Sequence, residues 1–250
     1  MFTALPTLAI IAIYLAAAIG PAVFLMVYIY RHDKVEPEPG DLLRSLILRG
    51  VLAALASIVL EIAAERVLSM APISESSPVY TILTAFLGVA AIEEGTKYFF
   101  MHRKVWNHPA FNYRFDAIVY AAFVSLGFAA FENIQYVASY GISVAVPRAF
   151  LAIPGHLGFS VVMGYYYGRA RKAADRGDMA GSRANRWAGY LSAVFLHGFY
   201  DSCAMIGTGI ASLLFVVFVI VMYVVISKLI RKEAETDEPL YMSDEGNQLL

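Results

Sequence analysis

Seven mostly apolar stretches dominate this chain, and that feature limits what it can fold into. They run roughly Thr7 to Tyr30, Leu46 to Leu68, Val79 to Phe100, Asp116 to Tyr140, Ala149 to Tyr167, Ala188 to Ile206 and Ile210 to Ile230. A helix of about 20 apolar residues crosses a hydrocarbon core about 30 Å thick. Lipid offers no partner to a backbone N–H or C=O, so such stretches span as helices, which satisfy those groups internally. The expected fold is all-α, a polytopic transmembrane helix bundle of about seven spans. Charged residues make up only 16% of the chain, against about 25% in soluble domains, so no separate soluble domain is expected. Residues 1–232 read as a single transmembrane domain. Beyond them the chain is acidic (Glu233, Glu235, Asp237, Glu238, Asp244, Glu245) and lacks a periodic apolar face, which predicts a disordered tail over 233–250.

The short loops orient the bundle, because Lys and Arg collect on the cytoplasmic side. Arg31, Lys34, Arg44 and Arg49 surround the first loop, whereas residues 71–78 carry no basic residue. Arg103, Lys104 and Arg114 follow, then Arg148 alone, then six basic residues from Arg169 to Arg186. The next loop, around Gly207, has none, and Lys228, Arg231 and Lys232 close the series. Rich and poor loops alternate, placing the N-terminus outside and the C-terminus inside. Residues 1–6 carry no positive charge and lead into a long apolar run, so the first span is expected to be a helix of the bundle and not a signal peptide. The net charge of −1 gives no basic excess for nucleic acid. The single cysteine, Cys203, leaves no internal disulfide and no Cys-rich zinc site. Tyr165, Tyr166, Tyr167 and Trp187 lie near span ends, as interfacial aromatic anchors do.

Ionisable residues inside the spans are expensive, at roughly 2.5–3.5 kcal/mol each on insertion scales, and face a protein interior or a watery cavity. The third span holds Glu93, Glu94 and Lys97. Lys97 is three or four residues from either carboxylate and can reach both, while the adjacent glutamates diverge by about 100° around the helix. One can therefore face the bundle centre while the other braces a neighbour. A packing salt bridge is the plainer reading, but two glutamates for one lysine leave a carboxylate unneutralised. The fourth span carries Glu132 and Asn133, with Glu132 about 12 Å of helix from the outer end. The fifth begins Pro154-Gly155-His156; a proline kink there would free carbonyls and let His156 line a cavity. In the sixth, His197 and Asp201 share a face, so Asp201 can orient the imidazole. Ionised alone, Glu93, Glu94, Glu132 and Asp201 would cost on the order of 10–14 kcal/mol. Four consecutive spans converging on one polar site is the economical account. Glu61, Glu65 and Arg66 in the second span are explained as well by snorkelling and pairing.

Carboxylates and imidazoles in a membrane cavity suit two chemistries. One is hydrolysis, with a glutamate as general base on water and histidines or Asn133 stabilising the oxyanion. The other is proton or ion translocation. The residues alone assign no cofactor. His156, His197 and one carboxylate would make an open three-ligand zinc site, but the spacing does not establish it.

The ordered set EExxK (Glu93 to Lys97), FxxxEN (Phe128 to Asn133) and HxxxD (His197 to Asp201), with Asp116 to Gly127, Arg148 and His156, resembles the PrsW family of intramembrane proteases. That family is distantly similar to CAAX-processing and bacteriocin-processing membrane proteases. The likeness covers about residues 79–202, and makes 1–232 a protease domain with its core at about 79–206. It implies that Glu93 or Glu94 activates water, that His156 and His197 position it or bind the oxyanion, and that Glu132 shares the proton or joins His156 and His197 on a Zn2+ ion. Lys97 would hold the glutamate pair and Asp201 would orient His197. The implied partner is a single-span membrane protein, as in site-1 cleavage of an anti-sigma factor in a bacterial plasma membrane. CAAX-type processing, a non-enzymatic membrane scaffold and a proton-coupled transporter are the rival readings. With Glu132, His156, His197 and Asp201 in the middle or outer half of their spans, the cavity is expected to open outward.

Overall fold

The computed structural model describes residues 4–240. They form seven long helices: α1 (Ala4–His32), α2 (Gly40–Leu68), α3 (Pro78–Val105), α4 (Asp116–Tyr140), α5 (Ala152–Asp175), α6 (Met179–Ile206) and α7 (Gly209–Glu235). Short helical turns over Ile142–Val144 and Ala145–Phe150 lead into α5. Six helical stretches are long and apolar enough to cross a membrane. The exception is α6, which at 28 residues has the length but carries Arg183, Arg186, His197 and Asp201. The all-α expectation holds, with six candidate spans by length and composition.

The bundle is built around α4. Of its most apolar window, 78% is buried, against 17% for α1 and 22% for α7, so α4 is the central post and the other two face outward. Val216, Val217, Ile220, Val221, Val224 and Val225 of α7 are all exposed, as lipid-facing residues should be, because lipid is as apolar as they are. Tight crossings seat α4 against its neighbours α2 and α5. A Cβ on Gly50 of α2 would lie 2.1 Å from the Val124 carbonyl oxygen. One on Gly127 of α4 would lie 2.5 Å from that of Ile47. Small residues let membrane helices approach to backbone contact, where dispersion replaces the missing hydrophobic drive.

Three local features differ from expectation. Within α3, Thr84–Ala90 is a π-helical turn, a widened coil of the kind that re-aims the residues after it. It brings Phe86 against Gly198, where a Cβ would lie 2.6 Å from the ring. Pro154 does not kink a span: α5 starts at Ala152, which puts Pro154 in the first turn, where an N–H has no helical partner to lose. Tyr167 is fully buried, with its hydroxyl 2.8 Å from His102 Nδ1, so it is a core residue and not an interfacial anchor.

The expected disordered tail is ordered through Leu240. The helix α7 continues to Glu235, and the following residues dock beside the start of α4. Arg114 pairs with Glu233 at 2.9 Å and with Glu238 at 2.6 Å, and Lys172 also meets Glu238. Hydrogen bonding from Lys172 holds the Glu238 carboxyl below its ordinary range. Asp237 accepts from the Phe115 N–H, and Leu240 is buried. Glu233 and Glu238, read from the sequence as part of a disordered tail, are thus counter-charges of Arg114 and Lys172. Asp244 and Glu245 lie outside the described residues. The α1–α2 and α3–α4 loops meet on this same face through Asn112, which donates to Glu36.

Candidate active site

The site is built on four helices. The EExxK turn of α3 follows the π-helical segment, and Thr96 fastens it to α2 by a 2.8 Å hydrogen bond with Ser57. Lys97 Nζ lies 3.1 Å from Glu93 Oε2, 2.8 Å from Glu94 Oε1 and 3.1 Å from His156 Nδ1. An ammonium has three N–H donors, and here each has an acceptor. The cation also sits 4.0 Å from the centroid of the Phe128 ring.

Around this centre the imidazoles are held at both nitrogens. His156 Nε2 lies 3.0 Å from Glu132 Oε2; with Nδ1 accepting from Lys97, the N–H belongs to Nε2. Glu132 also accepts from Arg148 at 2.6 Å. His197 Nδ1 is 2.9 Å from Glu94 Oε1 and its Nε2 is 3.3 Å from Asp201 Oδ2, so the ring has an acceptor for each N–H it can carry. Phe159 stacks on His197 with centroids 4.8 Å apart. The two imidazoles meet edge to face, with centroids 5.3 Å apart.

A cavity of about 780 Å³ opens onto this network. Glu93, Glu132, His156, His197 and Asp201 line it, together with Glu61, whereas Glu94 does not. Glu94 has no exposed surface. The glutamates diverge as their helical spacing predicts: Glu93 reaches the cavity and Glu94 lies behind it, joining Lys97 to His197.

The model of the "PrsW family intramembrane metalloprotease" matches residues 38–227. The chain belongs to the PrsW family. Protease PrsW of Geobacillus kaustophilus is 37% identical over 189 residues, 75% of this chain and 77% of that one. Protease PrsW of Oceanobacillus iheyensis is 33% identical over 187 residues (75% and 80%), and that of Bacillus subtilis 31% over 189 (75% and 80%). No solved structure matches the chain. The resemblance carried by the three motifs is thereby borne out: this is a PrsW-family intramembrane protease, a multi-pass membrane peptidase with bacterial homologues.

Seven of the eight residues picked out from the sequence come together: Glu93, Glu94, Lys97, Glu132, His156, His197 and Asp201. Asn133 is turned away from the cluster. Its Nδ2 donates to the Ala18 carbonyl and its Oδ1 accepts from Arg148 Nε, so it ties α4 to α1 and steadies the arginine that holds Glu132. Glu61 is the acid that the sequence left among the snorkelling residues, although it lies one to two turns from Ala54 and Ser57 on the same helix face. Tyr136 and Tyr200 also line the cavity, and Tyr136 lies under the Arg148 guanidinium, 3.7 Å from its ring centroid.

The donors fit a metal ion. Glu93, Glu94, His156 and His197 each offer one ligand atom, all within 4.8 Å of one another. Glu94 Oε2 is buried without a hydrogen-bond partner, an orphan that a cation would satisfy. Two imidazoles with carboxylates are a donor set zinc accepts. Glu132, which the sequence grouped with the two histidines, is not in this set; Arg148 and His156 already engage it.

Proposed function

We propose that this protease hydrolyses a peptide bond of a single-span membrane protein, with Glu93 as the general base. The carrying observation is that Glu93 alone of the glutamate pair lines the cavity, beside both histidines. In this reading Glu93 takes a proton from water as the water oxygen bonds to the scissile carbonyl carbon. On the cavity wall, the His156 Nε2–H held by Glu132 and the His197 Nε2–H held by Asp201 are the donors that an arriving carbonyl oxygen would share, steadying the charge that develops on it. As the C–N bond breaks, the proton held by Glu93 passes to the leaving amine. Glu94 and Asp201 orient His197, Glu132 and Arg148 orient His156, and Lys97 fixes the spacing of the glutamates. When bound by Glu93, Glu94, His156 and His197, a divalent ion would polarise the carbonyl and acidify water.

The seventh span is α6, whose 28 residues exceed the about 20 needed to cross, with Arg183 and Arg186 gathered at its start. With it, the alternation of loop charge supports an outside N-terminus and hence a cavity that opens outward. Ile58, Val89, Leu151 and Val216 contribute apolar wall to that cavity, which suits the membrane-proximal end of a hydrophobic segment, as in an anti-sigma factor.

The test compares host membranes carrying the wild-type chain or Glu93→Gln, with new protein N-termini mapped by mass spectrometry. Fragments of single-span proteins cut near their outer boundary should depend on Glu93. Equal cleavage by a folded Glu93→Gln would refute the assignment.

A further inference from the structure

A second group of acids lies away from the cavity, on the face where the α1–α2 loop, the α3–α4 loop and the residues after α7 meet. Asp33 follows the last residue of α1, Glu38 stands between Pro37 and Pro39 just before α2, and Asp116 opens α4. All three are buried, at 6%, 5% and 1% exposure. One carboxylate oxygen from each lies within 4.8 Å of the others.

Like charges this close raise one another's proton affinity unless a counter-charge stands by, and among the described residues no Lys or Arg forms an ion pair with any of the three. Asp116 Oδ2 accepts from the Asn112 and Tyr113 N–H groups, which satisfies one oxygen only. Asp33 Oδ2 and Glu38 Oε2 are buried with no hydrogen-bond partner. Asp237 and Glu36 add to the negative charge around Asp33, and the groups that offset it, the Glu38 backbone N–H toward Asp33 and the Tyr120 hydroxyl toward Glu38, are neutral. The Tyr120 hydroxyl beside Glu38 donates to the Ala110 carbonyl. Burial and then Asp116 push the Glu38 carboxyl up to about 9, and burial and then Asp237 raise Asp33 to about 6. Ionised together, the three acids require a cation.

We propose that Asp33, Glu38 and Asp116 form a site for a hard divalent cation, Ca2+ or Mg2+, that ties the α1–α2 loop to the start of α4. The ligand atoms are all carboxylate oxygens, which hard cations favour, and there is no imidazole or thiolate to select zinc. The two orphaned oxygens are the groups such an ion would satisfy. The site is independent of the proteolytic one, and it anchors the end of α4 opposite Glu132.

The full-length protein in detergent, stripped of ions with chelator and then freed of it, is titrated with Ca2+ or Mg2+ to about 10 mM, above the weakest range of built oxygen sites. Unfolding is followed by scanning fluorimetry, with monovalent salt of equal ionic strength as the control for screening. At least one of the two ions should raise Tm saturably by several °C, and the responding arm names the ion. The response should persist in Glu93→Gln/Glu94→Gln, which removes carboxylates from the other cluster. It should weaken at least tenfold in apparent affinity in Asp33→Asn and in Glu38→Gln. Should one of those variants not fold, the other and the wild-type titration still decide. No saturable shift with either ion, or a shift unchanged in a folded Asp33→Asn or Glu38→Gln, overturns the site.

Discussion

Lys97 and His156 meet at 3.1 Å, Nζ to Nδ1, across 59 residues of sequence. That contact joins the α3 glutamate pair to the α5 histidine and sets which nitrogen of His156 carries its proton. The same ammonium pairs with both Glu93 and Glu94, which are buried. Removing one partner of a buried ion pair typically costs about 3–5 kcal/mol, because the other charge is left uncompensated. Lys97→Met should therefore lower Tm sharply and abolish cleavage. Adding Glu94→Gln should recover part of the Tm without recovering activity. Lys97→Arg should not substitute, since a planar fork cannot direct three donors to these acceptors. Thermal unfolding of the single and double variants checks all three expectations.

The two glutamates should fail differently. Glu93 faces the cavity, so Glu93→Gln removes the proposed base while leaving an amide that can still meet Lys97. Cleavage should fall by about 10²–10⁴-fold, the usual worth of a positioned base, with little change in Tm. Glu94 lies behind the cavity and bonds both Lys97 and His197, so Glu94→Gln should lower activity and Tm together. Turnover and unfolding measured side by side on one preparation separate the two.

The chemistry-bearing motifs were legible in the sequence because lipid penalises any ionisable group that lacks a purpose. Glu93, Glu132 and His197 stood out against apolar surroundings for that reason. Glu61 did not, because its place near a span end offered snorkelling as an equal explanation, and only the packing of α2 on α3 turns it toward the cavity. Asn133 was legible as a polar residue but not in its direction, since one residue along a helix changes the facing by about 100°. The π-helical turn of α3 left no periodic signal in so apolar a stretch. The ordering of Glu233 to Leu240 could not be read either. Its acids are paired with Arg114 and Lys172, about 65 to 125 residues away in the chain, contacts that local composition does not report.

The crossing of α2 and α4 gives a prediction about stability alone. A methyl on Gly50 would lie 2.1 Å from the Val124 carbonyl oxygen and 2.7 Å from the Phe128 nitrogen, both backbone atoms. Overpacking costs typically 1–3 kcal/mol even where side chains can adjust, and backbone atoms adjust less. Gly50→Ala should lose several °C in Tm or fail to accumulate. Gly20→Ala, with nothing within 4 Å of the added methyl, should leave Tm unchanged. Expression level and unfolding in detergent report the difference.

Metal at the cavity is open to direct measurement, because Lys97 now bonds three of the four donor residues a divalent ion would use. The ion and the ammonium therefore compete for Glu93, Glu94 and His156. The metalloprotease description of the family, together with the orphaned Glu94 Oε2, leads us to expect near one zinc per chain by elemental analysis. That zinc should be lost in His156→Ala/His197→Ala. Chelation should inhibit cleavage and added Zn2+ should restore it. Binding should weaken as pH falls, since protons compete for the ligands. Activity indifferent to chelator in a chain that stays folded, with no ion retained, would instead leave the reaction to Glu93 and the two imidazoles.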